Sequence, residues 1–227
     1  MFRSFLTLIF LAALATQANA DLVLILTSDT TTQVVIDESP LNTTSSGGSY
    51  TSTVADFLNG DGIVGYNGAV GNFIVNVTTG ISDPFIGPYA IDLNNVSVSG
   101  APGTLTIELI DTDFSLANAG IYNVLSEFGG TTDGTIDASG GVLDSNAEIG
   151  FGADTFLGPF SDGAFSGTDM TTASLSDTFS LNTVVTITHD AGGQITSFDH
   201  KFSVVPEPGT SAVLVGLSSL AWIRRRR

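Results

Sequence analysis

Cysteine is absent from this 227-residue chain, and Lys and Arg together number only six. Without cysteine there is no disulfide framework, no thiolate metal site and no cysteine nucleophile. The charged fraction is 13%, against about 25% in an ordinary soluble domain. The scarcity is one-sided. The bases are Arg3, Lys201 and the run Arg224, Arg225, Arg226 and Arg227, so five of the six lie at the extreme ends. Residues 21–205 hold 22 acids against Lys201 alone, a net charge of −21. Nucleic acid is excluded as a partner, because phosphate contacts require Lys and Arg. The single tryptophan, Trp222, lies outside that acidic stretch.

The two ends read as address signals. Arg3 precedes an uncharged apolar run from Phe5 to Ala15, and Ala18-Asn19-Ala20 forms a small-x-small site before Asp21. This is the pattern of a secretory signal peptide cut after Ala20 by signal peptidase. Eleven apolar residues reach only about 16 Å as helix, short of a ~30 Å bilayer core, which argues against an uncleaved anchor. At the other end, Val205-Pro206-Glu207-Pro208 leads into fifteen uncharged residues, Gly209 to Ile223, and then the four arginines. The two prolines oppose helix and leave Glu207 in an extended stretch. The apolar run would span about 22 Å as helix, with Trp222 at its rim. The terminal arginines act as a stop-transfer block that keeps the C-terminus cytosolic.

This tripartite ending resembles the PEP-CTERM sorting signal of Gram-negative bacteria, with Pro206-Glu207-Pro208 as the signature tripeptide. The resemblance covers about the last 23 residues. It implies recognition by an exosortase, a membrane cysteine transpeptidase that cuts near the motif. It also implies a transient inner-membrane intermediate and an association with exopolysaccharide, biofilm or surface structures. The body is similar to domains found ahead of such tails, in the stretch Asn72 to Gly80 and the run Gly103 to Ile107. That second resemblance brings no activity with it.

Between the signals, Leu, Ile, Val and Phe make up 56 of 185 residues, enough for a core. The periodicity is that of strands. Phe73, Val75 and Val77 alternate with Asn72, Ile74 and Asn76, and Leu105, Ile107 and Leu109 with Thr104, Thr106 and Glu108. Further short β-branched runs cover Gln33–Ile36, Val96–Ser99 and Thr183–His189. Turn formers separate them, such as Asn67-Gly68, Ala101-Pro102-Gly103 and Asp133-Gly134. The pattern predicts a single all-β domain, an antiparallel β-sandwich over 21–204, flanked by a signal peptide over 1–20 and a sorting segment over 205–227. Thr183–His189 and Gln194–Val204, joined by Asp190-Ala191-Gly192-Gly193, read as a closing hairpin. Gly129–Thr132 and Ser139–Gly141 read as loops dividing two halves of the sandwich. The stretch Phe114–Phe128 is the best helix candidate, but Gly120 and its β-formers argue against it.

Candidate chemistry is sparse. His189 and His200 each adjoin an aspartate (Asp190, Asp199), but no nucleophile sits in a G-x-S-x-G elbow, so catalysis is not expected and the histidines read as strand-edge residues. Calcium is the one metal the residues suggest. Asp56, Asn59 and Asp61 cluster with Gly60 and Gly62, and Asp111 and Asp113 project from the end of an apolar strand. Phe57 occupies a position where an EF-hand loop would carry a ligand, and turn formation explains the same residues. Sugar binding through exposed aromatics would draw on Tyr50, Tyr66, Tyr89, Tyr122 and the phenylalanines. Asn42, Asn76 and Asn95 head N-x-S/T triplets, frequent by chance in a Thr-rich chain. The expectation is an exported, exosortase-processed surface or matrix protein without catalysis or a required cofactor. The alternative is a calcium- or carbohydrate-binding module that uses the same export route.

Overall fold

The computed structural model describes residues 21–29, 31–37, 39–58, 62–82, 89–145 and 147–206. The expected signal peptide over 1–20, and Glu207, Pro208 and the remainder of the expected sorting segment with its expected helix, lie outside the described residues. Within them the protein is all-β and contains no helix. Ten strands form one antiparallel sheet: β1 Val23–Ser28, β2 Thr31–Ile36, β3 Ile63–Val70, β4 Phe73–Ser82, β5 Ala90–Gly100, β6 Gly103–Ser115, β7 Gly120–Leu143, β8 Thr155–Leu175, β9 Thr178–His189 and β10 Gln194–Pro206. The stretch Phe114–Phe128 is indeed not helical: it ends β6 and begins β7.

The strand order is β2-β1-β6-β9-β7-β10-β5-β4-β3, with β8 on the remaining edge of β7. The sheet divides into two leaves that share β7. The first leaf is β2-β1-β6-β9, joined to the second half of β7; the second is β3-β4-β5-β10, joined to its first half. The leaves face each other across one core. A Cβ on Gly80 of β4 would sit 2.9 Å from a methyl of Leu109 on β6, and the rings of Phe73 (β4) and His189 (β9) are 5.4 Å apart. The far edges also meet, where the Gly62 N–H beside β3 donates to Asp37 Oδ2 beside β2 at 2.5 Å. The result is a nearly closed, sandwich-like sheet.

The expected closing hairpin does not form. β9 pairs along Thr135–Leu143 of β7, and β10 pairs along Tyr122–Thr132 of the same strand, both antiparallel to it. The chain therefore continues in one direction through the Asp190–Gly193 turn and changes leaf instead of doubling back. The turn signal was real, but pairing partners are set by tertiary contacts rather than by the turn.

The glycine tracts are likewise not loops. Gly129–Thr132 and Ser139–Gly141 lie inside β7, a 24-residue strand whose ladder with β8 shifts register between Thr132 and Thr135. Backbone and rings crowd β7 there. A Cβ on Gly130 would fall 2.1 Å from the Ser197 carbonyl oxygen, and one on Gly140 2.2 Å from the Phe202 ring. Glycine marks close approach inside this strand, not a break in it. β8 follows β7 through the bend, and the Phe156 N–H near its start donates to Asp169 Oδ2 at 2.9 Å, tying its two arms together.

A second, smaller cluster lies on the outer face of the first leaf: Val23, Ile25, Val34, Ile36 and Ile110, with Tyr50 and Phe151 packed on it. The loop over this cluster is clamped by buried Glu148. Its carboxylate accepts from Ser45 Oγ (2.8 Å), Ser49 N–H (3.0 Å) and Gly47 N–H (3.2 Å). Those three donors satisfy a carboxylate that would otherwise be costly to bury.

Candidate functional site

Two apolar runs that lead into aspartate carry acids into one end of the sandwich, one at the close of β2 and one inside β6, which continues to Ser115. Val34-Val35-Ile36 runs into Asp37, and Leu109-Ile110 into Asp111, so burying the strand drags the carboxylate inward. Asp111 is 3% exposed. Its Oδ2 accepts from Ser82 Oγ, at the end of β4 in the opposite leaf, while its Oδ1 is buried with no hydrogen-bond partner. The β6–β9 ladder is irregular between Asp111 and Phe114, and Asp113 has φ 65°. Burial pushes the Asp111 carboxyl up to about 7. Ser82 and the Thr112 backbone oppose the shift, and the negative charges of Asp113 and Asp37 add to it. Asp37 is held in place by the Gly62 N–H, directly after Asp61 in the chain.

Asp111, Asp37, Asp113 and Ser82 thus converge where the edges of the two leaves approach. Among the described residues, no three His, Asp or Glu side chains group closely enough to hold a metal by themselves. Of the sequence-predicted calcium residues, Asn59 and Asp61 lie outside the described residues. Asp56 is described: its Oδ1 accepts from Leu58 N–H at 3.2 Å, a local turn contact. The sequence placed Asp111 and Asp113 at the end of an apolar strand, but β6 runs on through both to Ser115, across the irregularity between Asp111 and Phe114. Asp37 was not singled out, although its setting after Val34-Val35-Ile36 is the same signal. Nothing local marks Ser82 as the partner of Asp111.

The histidines are not at strand edges in the exposed sense. Both are buried, and His200 is 0% exposed. Its Nε2 shares a hydrogen bond with Ser126 Oγ at 2.8 Å, and its Nδ1 with Thr183 Oγ1 on the facing leaf. The ring packs edge-on to Phe128 at 5.2 Å. Burial drives its pKa down to about 3, so the ring is neutral. His189 bonds Thr196 Oγ1 at 3.0 Å, and Thr196 bonds Thr132 Oγ1 at 2.8 Å. Burial lowers the His189 pKa too, against the opposing charges of Asp133 and Asp190. Asp199, next to His200 in sequence, points elsewhere and accepts from Asn95 N–H at 2.6 Å. A Ser-His-Asp set is therefore not assembled around His200, which joins two leaves through hydroxyls.

The tyrosines are spent on packing. Tyr66 is in the core, Tyr89 and Tyr122 lie against it, and Tyr50 covers the smaller cluster. The Tyr50 hydroxyl is pushed up to about 12, by burial first and then by the charges of Glu108 and Glu148. Among the described residues, Phe57 and Phe156 are the large aromatics left exposed.

At the ends, the core begins at once after the predicted cleavage site. Leu22 is 1% exposed and β1 starts at Val23, while the Asp21 carboxylate accepts from the Ser46 N–H. Ala18 and Ala20 lie outside the described residues. Val205, 41% exposed, pairs with Asn123, and Pro206 pairs with Tyr122 as the last residue of β10. Glu207, Pro208, Trp222 and Arg224 to Arg227 lie outside the described residues.

No family model and no curated protein matches the chain. Among solved structures it is similar to an Arthrobacter globiformis T6 isomalto-dextranase complexed with panose, at 14% identity and a TM-score of 0.26. That match covers 62% of this chain and 23% of the other, so this chain spans about a quarter of that protein's length. It is also similar to TmCBM61 in complex with β-1,4-galactotriose, at 13% identity and a TM-score of 0.27, covering 64% of this chain and 87% of that one.

Proposed function

We propose that this chain is an exported structural protein of the cell surface or extracellular matrix, released from the inner membrane by an exosortase and without catalysis of its own. The observation that carries this reading is the fit between body and signals. The described fold fills the interval between them, with Leu22 buried two residues after the predicted cleavage and β10 ending on Pro206, the first residue of the tripeptide. A processing enzyme would meet its motif where the last ladder ends, on a chain already committed to a closed sheet. The acidic surface keeps the body soluble outside the cell, and exopolysaccharide or another surface acceptor is the partner the tail implies.

The test is to replace Pro206, Glu207 and Pro208 with alanine in the native cell and fractionate. The expected outcome is full-length protein retained in the inner membrane, with loss of the released or surface form. Unchanged release of the triple variant would overturn exosortase processing. Intact mass measurement of the recovered wild-type body gives both cut points and any attached group.

A further inference from the structure

Four apolar side chains gather at one corner of an otherwise acidic body. On the outer face of the second leaf, Val205 of β10 pairs with Asn123 of β7, and Leu125 of β7 pairs with Ser203 of β10 and Met170 of β8. Paired residues share a face, as do residues two apart on one strand, so Val205, Leu125, Met170 and Ile121 lie together. Ile121 is 62% exposed, Met170 64% and Val205 41%, and Leu125 is partly exposed. Neither row carries a charge, in a body of net −21. The next row does: Lys201 pairs with Asp92 and Glu127. Apolar residues scattered singly on a surface are ordinary, but a contiguous uncharged group of them marks a contact surface.

Position names what it contacts. β10 ends at Pro206, one residue past Val205, and the uncharged run Gly209 to Ile223 begins three residues later. Three residues reach at most about 10 Å. The headgroup layer is itself about 5–8 Å deep on each side of the hydrocarbon core. In the membrane intermediate of the proposed route, the last rows of β10 are therefore held at the headgroups. The run is also short, about 22 Å as helix against a core of ~30 Å. A short span is accommodated by thinning the bilayer or by drawing in its flanks. An apolar flank can sink where a charged one would resist. Pro206 and Pro208 oppose a tight fold-back of the run onto the patch, because each restricts the residue before it to extended backbone.

We infer that this corner of the second leaf is a lipid-docking surface, on which Ile121, Leu125, Met170 and Val205 rest against the membrane that receives the tail until the body is cut free. The inference rests on the proposed membrane intermediate. So small a patch binds lipid weakly by itself, but the tether makes the contact intramolecular, and a weak contact then suffices. Cutting the tether ends the docking with it, which leaves the body free to depart. While it lasts, the second leaf faces the lipid and the outer face of the first leaf is turned away.

The experiment is tryptophan quenching in the full-length chain, reconstituted into phosphatidylcholine vesicles whose acyl chains are brominated near the headgroup. Native Trp222 reports entry of the tail. In a Trp222→Phe background, Met170→Trp and Ile121→Trp report the patch, and Thr104→Trp, exposed on the outer face of the first leaf, is the control. Both patch positions are largely exposed and accept the larger ring, and either probe decides the matter if the other variant misfolds. The expected result is quenching of Trp222, with patch probes quenched several-fold more than the Thr104→Trp control. Quenched Trp222 with patch probes no different from the control would overturn the docking and leave the membrane intermediate standing. Unquenched Trp222 would overturn both, including the case in which the run folds back onto the patch.

Discussion

His200 shows what one residue contributes when its ring is buried and neutral. Both of its nitrogens are engaged by hydroxyls from Ser126 and Thr183, one in each leaf. In the unfolded chain the same imidazole titrates near 6.5, whereas in the fold burial lowers it to about 3. A depressed folded pKa means that the stabilisation is fully present above about 6.5 and is lost as pH falls toward 3, because the unfolded state takes up the proton first. Going from pH 7 to pH 5 should cost on the order of 2 kcal/mol from this residue. Asp111 and Asp92 act in the opposite sense. Burial raises them to about 7 and about 6, so the folded state holds protons that the unfolded state releases as pH rises through the range between. The absolute pH curve mixes these effects, and a variant isolates one. His200→Gln keeps hydrogen-bonding capacity and removes the titration, so the gap in unfolding free energy between pH 7 and pH 5, read from urea melts, should shift by about that amount in favour of pH 5. An unchanged gap would show that the ring is solvated in the fold.

At the scale of the element, β7 is the most informative strand. It pairs with β10, then with β9, while β8 follows its other edge through the bend. Glycine is required where neighbours press closest. Gly140→Ala would put a methyl 2.2 Å from the Phe202 ring in a packed core, and overpacking of this kind typically costs about 1–3 kcal/mol. Chemical denaturation should show a lower midpoint for this variant, and a midpoint equal to that of the wild type would refute the close approach. The same strand explains what the sequence could and could not convey. Alternation at Phe73-Val75-Val77 and Leu105-Ile107-Leu109 exposed β4 and β6 directly, because a strand with one buried face writes its period into the chain. The tracts around Gly130 and Gly140 read as loops, because close packing and chain reversal call for the same residue. The Asp190–Gly193 turn was visible, but whether the chain returns beside itself or moves to another leaf depends on where β5 and β6 lie, far away in sequence. The burial of Asp111 was half legible: the apolar run leading into it could be read, but neither the continuation of β6 past it to Ser115 nor its Ser82 partner, 29 residues earlier, could.

For the whole molecule, the dominant fact is unbalanced charge. A body of net −21 with one base repels itself, and compaction works against that repulsion. Raising sodium chloride from about 0.01 M to about 1 M shortens the Debye length from about 30 Å to about 3 Å. The Tm should therefore rise steadily with monovalent salt, as measured by calorimetry. A flat or falling Tm would mean that the acids are already compensated. Edge protection also belongs at this scale. β2 and β3 close toward each other, and on β8 the Asp169 carboxylate occupies the N–H groups of Phe156 and Met170, which would otherwise be open to an added strand.

The route by which the chain changes leaf also sets the order of assembly. β9 is the strand that joins β6 to β7, and β10 the strand that joins β5 to β7, and both come from residues 178–206, the last part of the body. Until that stretch has arrived, neither leaf has its inner neighbour, and the phenylalanine-lined faces between them have nothing to close on. Assembly must wait for contacts between distant parts of the chain, which places this protein among slow folders of high contact order. A chain made from its N-terminus keeps for the end the two strands that turn a pair of open ribbons into one nearly closed body.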